Sequence, residues 1–344
     1  MGQYDNVGDA VLRRPLIDRL RRLGPLHIFV GTRDDNYLRA FGLSDEDFLV
    51  RSSKAWRSLM TSSLKSGPLF YAFNAGEIET TRTYAAKYAR VLPLLLANRA
   101  RGGSSVHTGF GVRAPSPWLP IFRGAMRACD VVSWRDAFSA EALRIGDTVP
   151  DWAFCEGPEA VPVGTDNRRF LVVAPRRDGQ ELDERTLRGL AHHAEQSNLE
   201  LVFAAQIERD GPVCARYAEL VGARALVWES SDLLAQETRL RALYRDAAVV
   251  VSERLHALVI AATEGAVPVA LSDAPSMKAE RTMTAAGFEG FAIPLRRLGT
   301  PPGNLSLASL AARQTETAAA VDTSRRRLHE LTDRISRAYE AVRA

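Results

Sequence analysis

Short apolar runs alternate with helical segments in the second half of the chain, and this alternation constrains the fold more than any other feature. Phe170–Ala174 and Ala247–Val251 are continuous apolar runs of the kind that parallel sheets bury on both faces. Further strands are expected at 200–205, 225–228 and 267–271, with helices at 183–195, 231–244 and 253–263. The pattern predicts an α/β domain with a parallel, Rossmann-like sheet.

The first half shows the same alternation less clearly. We expect strands at 25–31, 69–73 and 131–134, and helices at 9–23, 81–98, 119–128 and 138–144. A Gly/Ser/Pro-rich stretch at 102–117 predicts a loop. The stretch Pro158–Arg168 has neither helical nor alternating patterning, so it marks a domain boundary. We therefore expect a first Rossmann-like domain over 1–160, a second over 168–310, and a terminal helix over 315–344 that packs back on the first.

Composition excludes several classes of protein. A chain of 344 residues without an apolar run of about 18 predicts a two-domain protein without a membrane span. The amino end lacks the pattern of a secretory signal, so we expect a cytoplasmic enzyme. The net charge is +4, but the arginines are dispersed among acidic residues, which argues against a nucleic-acid partner. The cysteines 129, 155 and 214 form no Cys-x-x-Cys pair, and no metal site is expected.

Three segments lie where a predicted strand or loop leads into a helix. They are Gly2–Asp9, Ser133–Ser139 and Val251–Ala257. Ligands of parallel α/β sheets bind beyond the carboxyl ends of strands, where helix N-termini favour anions. Neither a Gly-x-Gly-x-x-Gly fingerprint nor a Walker loop occurs. These segments are therefore the candidates for an anion-binding site.

Each junction also has a purely structural interpretation. Asp9 is expected to cap a helix, Asp136 or Ser139 to cap the next, and Arg135 to pair with a neighbouring carboxylate. Ser252 is a plausible cap that would place Arg254 and His256 in one helical turn. Residues two apart on a regular helix point to different sides, so both face one ligand only if that turn is irregular or the ligand lies over its end.

Taken together, the junctions resemble the polysaccharide pyruvyl transferase family. The matching motifs are Asn-x-Gly-Asp at 6–9, Arg-Asp-x-x-Ser at 135–139, Arg-Leu-His-Ala at 254–257, a glycine followed by Pro-Val at 265–269 and a lysine at 278. The order and spacing agree over about positions 2–290. The resemblance implies two Rossmann-like domains in a GT-B-like arrangement with an interdomain cleft. It also implies transfer of pyruvate from phosphoenolpyruvate to a sugar as a cyclic ketal.

The resemblance implies roles for individual residues. Asp9, Arg135, Arg254, Leu255 and His256 are expected to border the donor, which fits the bidentate binding of phosphate and carboxylate by arginine. His256 is the candidate general acid and base, with Asp9 and Arg254 as its catalytic partners. Asn6, Gly8, Lys278 and Arg176 complete the expected substrate-binding set. No cofactor is expected beyond phosphoenolpyruvate as co-substrate.

The partners expected from this reading are phosphoenolpyruvate and a sugar or glycan acceptor of polysaccharide or cell-wall biosynthesis. The sequence leaves homo-oligomer formation open. His192–His193 is interpreted as solvated surface, and His107 as part of a structural loop. The family's usual strand before Asn-x-Gly-Asp does not precede the loop here, so either the start is assigned too late or the first sheet lacks an edge.

Two other functions remain open at this point. A GT-B glycosyltransferase would use the same fold and similar basic residues to bind a nucleotide sugar. A non-catalytic protein of the same fold is the third hypothesis. The joint presence of Arg135, Arg254 and His256 argues against the latter.

Overall fold

The computed structural model describes residues 4–164, 168–271, 278–294 and 313–343. The chain divides into two compact units. Unit 1 consists mainly of Leu12–Trp152 and Arg326–Ala344, and unit 2 of Gln3–Val11 and Ala153–Arg325. None of the helices described is long and apolar enough to cross a membrane.

Unit 1 contains two parallel sheets. Its helices are α1 (Val7–Arg21, which begins in unit 2), α2 (Asp35–Arg39), α3 (Ser53–Ser66), α4 (Arg82–Ala100), α5 (Leu119–Arg127) and α6 (Ala137–Leu143). Its strands are β1 (His27–Phe29), β2 (Phe48–Val50), β3 (Phe70–Ala72), β4 (Gly76–Ile78), β5 (Ser104–Val112), β6 (Val131–Trp134) and β7 (Asp147–Thr148). Strands β1 and β2 pair with each other, while β3 and β4 both pair with β5, which also pairs with β6, followed by β7.

Unit 2 contains one six-stranded sheet, β10-β9-β8-β11-β12-β13, in which every pairing is parallel. The strands are β8 (Phe170–Ala174), β9 (Glu200–Ala204), β10 (Arg224–Leu226), β11 (Ala247–Ser252), β12 (Val267–Leu271) and β13 (Ala292–Ile293). The helices are α7 (Glu184–Gln196), α8 (Gly211–Val221), α9 (Leu233–Arg245), α10 (Leu255–Thr263), α11 (Lys278–Ala285) and α12 (Gln314–Arg343, which ends in unit 1).

The expected α/β class with two Rossmann-like sheets is confirmed, and the second half follows its pattern closely. Strands β8 and β11 are wholly buried, as continuous apolar runs require. Their order in the sheet reverses between β8 and β11, because β9 and β10 extend to one side and β12 and β13 to the other. This reversal creates the topological switch point at which open α/β sheets bind ligands.

The prediction of a loop at 102–117 is wrong over most of this range. Residues 104–112 form β5, a nine-residue strand that is buried throughout and pairs with three other strands. Its Ser, Thr and Gly residues are typical of loops, so the sequence pattern did not indicate a strand. Gly109 adopts φ 73° beside the Trp152 indole, where the pairing with β6 shifts register between His107 and Phe110. A small residue is needed there because the backbone passes close to the indole.

The division into units differs from the expected limits near 160 and 315. The boundary falls at Trp152/Ala153, and residues 4–11 group with unit 2 because Asp5 accepts a hydrogen bond from the Glu208 amide. The last helix is shared. Its Ser324 hydroxyl donates to Ala286 in unit 2, whereas its Arg334 pairs with Asp147 in unit 1.

Candidate active site

The carboxyl ends of β8 and β11 lie side by side at the switch point of unit 2. Their register pairs Val173 with Val251 and Ala174 with Ser252, so the two strands end at the same level. The segment after β8 begins with Pro175-Arg176-Arg177-Asp178, and the segment after β11 is Glu253-Arg254. Two arginine-containing segments therefore leave the sheet at adjacent places.

The turn after β11 is irregular. The Ser252 hydroxyl donates to the Ala174 carbonyl and accepts from the Arg254 amide at 2.8 Å. Arg254 is the N-cap residue with extended dihedrals (φ −86°, ψ 110°), and α10 begins only at Leu255. Arg254 is therefore outside the regular helix, and His256 is inside its first turn. This satisfies the condition under which both residues can face one ligand.

A buried carboxylate holds the Arg254 guanidinium. Asp210 accepts from Nε at 2.9 Å and from Nη2 at 2.7 Å, and its side chain is 0% exposed. The same carboxylate accepts from the Arg177 amide at 3.0 Å. Among the described residues, no hydrogen bond from Nη1 of Arg254 is found, and the side chain keeps 12% exposure. One edge of the guanidinium is thus fixed, and the other remains available to an anion.

A second, exposed carboxylate lies between two arginines. Asp178 accepts from Arg176 Nε at 3.1 Å and Nη2 at 2.7 Å, and it lies 3.5 Å from Arg254 Nη2. The hydrogen bond from Arg176 lowers the pKa of Asp178 to about 2, so this carboxylate is ionised at neutral pH. Burial instead raises the pKa of the neighbouring Glu253, partly offset by Arg176.

The first turn of α1 packs against the start of α10. Asn6 caps α1 by accepting from the Gly8 amide at 2.9 Å, and its Oδ1 also accepts from Gln206 Nε2 at 3.0 Å. A Cβ on Gly8 would collide with His256 Nδ1 and approach Gln206 Nε2 to 2.7 Å. The N-termini of two helices, and with them Asn6, Gly8 and His256, therefore meet in unit 2.

The remaining expected residues of unit 2 occupy different settings. Asp9 is half-buried in the first turn of α1, so Asn6 takes the capping role that was considered for Asp9. Leu255 is 5% exposed and belongs to the core, which limits it to a packing contact. Lys278 is the first residue of α11 and is half-buried, while the preceding residues 272–277 lie outside the described part of the chain.

Arg135 lies in unit 1 and is nearly inaccessible. Its side chain is 2% exposed and pairs at 3.3 Å with Asp151, which is fully buried. A Cβ on Gly111 would come within 2.7 Å of Arg135 Nε, so the guanidinium lies directly over that glycine. The expected pairing of Arg135 with a carboxylate is confirmed, and so is the expected capping of α6 by Asp136. Contact of Arg135 with the donor stays a prediction, and this geometry does not favour it.

Three polar residues of the site were missed in the sequence. Gln206 and Asp210 follow β9, and Asp178 follows β8. All three lie just beyond the carboxyl end of a strand, where parallel sheets bind ligands, and the sequence predicted only Arg176 after these two strands. Gln206 is 2% exposed, and its Oε1 is buried without a hydrogen-bond partner among the described residues.

His107, expected in a loop, is in the middle of β5. It is 0% exposed, lies 3.0 Å from the Tyr88 hydroxyl and stacks on Phe110. Burial lowers the pKa of His107 to about 3, so it is neutral and structural at physiological pH. No group of three His, Cys, Asp or Glu side chains suited to a metal occurs within residues 4–164, 168–271, 278–294 and 313–343.

Comparison with known proteins gives one family match. The sequence model of a family described as polysaccharide pyruvyl transferase matches residues 6–274. This range covers most of both units and includes Asn6–Asp9 of the first junction and the whole of the other two. No curated protein matches the chain.

Solved structures of low sequence identity share the fold. A Listeria monocytogenes protein described as a UDP-N-acetylglucosamine 2-epimerase is 12% identical, with 92% of this chain and 88% of that chain covered and a TM-score of 0.53. An O-GlcNAc transferase mutant from Thermobaculum terrenum is 17% identical, with 98% and 66% covered and a TM-score of 0.50. At these identities the likeness concerns the fold alone, and it confirms the expected GT-B-like class.

Proposed function

Because the chain belongs to the polysaccharide pyruvyl transferase family, we propose that it transfers pyruvate from phosphoenolpyruvate to a sugar of a glycan or glycan precursor. The products are a cyclic ketal on the sugar and inorganic phosphate. The single observation that carries the choice of donor is Arg254, which lies at the switch point with one guanidinium edge fixed by Asp210 and the other available.

This arrangement suits a small donor with two anionic groups. Arg254 offers a planar, permanently charged guanidinium. Arg176 lies beside it, because both arginines contact the exposed Asp178 carboxylate, Arg176 at 2.7 Å and Arg254 at 3.5 Å. The first amide groups of α10 add the partial positive charge of a helix N-terminus. Phosphate and carboxylate are the two ligand groups that arginine side chains and helix N-termini bind most strongly.

The chemistry needs proton transfer beside this anion site. One proton must leave each of the two attacking hydroxyls of the sugar. One of these protons is matched by the proton that the methylene carbon of phosphoenolpyruvate gains to become a methyl group, and the other departs with the phosphate. His256 is our candidate for this work, because imidazole is a common general acid and base in enzymes and its ring lies against Gly8, which precedes Asp9 in the first turn of α1. Arg254 stabilises the departing phosphate without reorganisation, since Asp210 already holds it in place.

Calorimetric titration with phosphoenolpyruvate tests the donor assignment. We expect Arg254→Ala to weaken binding by about ten- to hundredfold, the range for a lost charged hydrogen bond. Arg188→Ala is the matched control, because Arg188 is an exposed arginine of α7 that pairs with Glu184 four residues away. Binding of a uridine diphosphate sugar without phosphoenolpyruvate would instead favour the GT-B glycosyltransferase.

Turnover distinguishes the role of His256 from binding. We expect His256→Ala to keep the dissociation constant of phosphoenolpyruvate within about twofold and to lower the release of phosphate by about 10²–10⁴-fold, the contribution typical of general acid–base catalysis. Phosphate release is measured with a panel of acceptor sugars. Unchanged turnover in His256→Ala would remove this residue from the mechanism.

A further inference from the structure

The two carboxylates that contact Arg254 differ in almost every physical respect. Asp210 is 0% exposed, binds the guanidinium through two hydrogen bonds and also accepts from the Arg177 amide. Asp178 is 64% exposed and contacts Arg254 only at 3.5 Å. One carboxylate is thus built into the fold, whereas the other reaches the arginine from the solvent side.

Asp178 contacts Arg176 and Arg254 as we expect an anionic ligand of this site to do. Its carboxylate forms two hydrogen bonds with Arg176 and extends to Arg254, so it bridges the two arginines that leave β8 and β11. Together with Asp210 it balances the two positive charges of Arg176 and Arg254. Exposed ion pairs contribute little stability, so an incoming anion can displace this one at small cost.

Asp210 cannot move in the same way. Breaking a buried pair leaves an uncompensated charge, which is strongly unfavourable. Its bond to the Arg177 amide also holds the segment after β8 in register with the turn after β11. The carboxylate therefore fixes both the direction of the Arg254 guanidinium and the place of the neighbouring segment.

We propose that Asp178 is an internal competitor, which occupies the anion site until the donor displaces it, and that Asp210 is a positioning residue that keeps Arg254 ready for the donor. This inference rests on the proposed function for the identity of the donor. It assigns opposite effects to two acidic side chains that contact the same arginine.

Titrations of phosphoenolpyruvate and inorganic phosphate into the full-length protein test the proposal. Asp178→Asn removes the competing charge, and we expect about two- to fivefold tighter binding of both probes, the scale of an exposed ion pair. Asp210→Asn is expected to weaken both by about tenfold or more. Glu184→Gln is the matched control, because Glu184, the first residue of α7, also pairs with an exposed arginine, but with Arg188 and not with Arg176 or Arg254.

A double-mutant cycle separates positioning from general stability. If Asp210 acts through Arg254, then Asp210→Asn adds no further loss of binding in an Arg254→Ala background. Additive losses would overturn the positioning role. Unchanged or weaker binding in Asp178→Asn would overturn the competitor role, and this variant changes an exposed side chain, so its folding is not at risk.

The same titrations distinguish an incorrect competitor role for Asp178 from an incorrect choice of donor. If a uridine diphosphate sugar binds instead of phosphoenolpyruvate, and Asp178→Asn still tightens that binding, the donor is wrong and the competitor stands. If phosphoenolpyruvate binds but Asp178→Asn has no effect, the donor stands and the competitor is wrong. If neither these donors nor phosphate bind the wild type, both proposals are overturned.

Discussion

Gly8 shows how a single residue joins two helix N-termini. It lies in the first turn of α1, and its α-carbon faces the His256 imidazole and the Gln206 amide. The φ of Gly8 is not in the left-handed region, so conformational freedom does not explain the glycine. The requirement is space, because any side chain would occupy the position of the imidazole.

Gly8→Ala tests whether the position of His256 matters for turnover. The alanine favours helix by about 1 kcal/mol, but its methyl group must displace His256. We expect phosphate release to fall at least about tenfold, with a change in unfolding temperature of a few degrees at most. Gly124→Ala is the control, since a Cβ there meets only Leu92 at 3.7 Å. Full activity in Gly8→Ala would argue against a catalytic position for His256.

At the scale of elements, α1 is fixed to unit 2 through its cap. The Asn6 side chain accepts from the helix amide and from Gln206, a residue 200 positions away along the chain. An isolated bridge between Asn6 and Ile207 reinforces the same contact. The cap of α1 therefore also fixes the segment that follows β9.

Asn6→Ala should cost more than an ordinary cap. We expect a loss of about 1 kcal/mol for the cap and about 1–3 kcal/mol more, because buried Gln206 loses its partner. Urea unfolding monitored by Trp228 fluorescence, a reporter in unit 2, measures the change. Asp232→Ala is the comparison, because Asp232 is half-buried and caps α9 through solvent-exposed hydrogen bonds. Equal losses in the two variants would contradict a tertiary role for Asn6.

At the scale of the whole molecule, the core of unit 1 contains a neutral histidine. His107 packs among Phe73, Phe110 and Trp134 and lies 3.0 Å from the Tyr88 hydroxyl. The unfolded chain takes up a proton on this ring below about pH 6.5, whereas the folded chain does so only near pH 3. Unit 1 is therefore expected to lose stability in acid through this residue.

The pH dependence of local unfolding tests this expectation. Between pH 6.5 and about 3 the unfolded state binds more protons, so the unfolding free energy falls as the pH falls, by about 2 kcal/mol at pH 5. Hydrogen exchange of a peptide covering β5 reports it. His107→Phe should reduce this dependence, while His329→Asn, an exposed histidine in the same unit, should not. An unchanged pH profile in His107→Phe would contradict the assignment.

The sequence by itself determined the α/β class, most elements of unit 2 and the candidate arginine and histidine of its site. These follow from local patterns, since buried parallel strands read as apolar runs and ligand sites lie just after them. Only the tertiary structure decided that β5 is a strand, that Arg135 is buried on Asp151, and that Asp210, 44 positions before Arg254, holds its guanidinium. Such pairings depend on which distant segments pack together, and no local pattern records that choice.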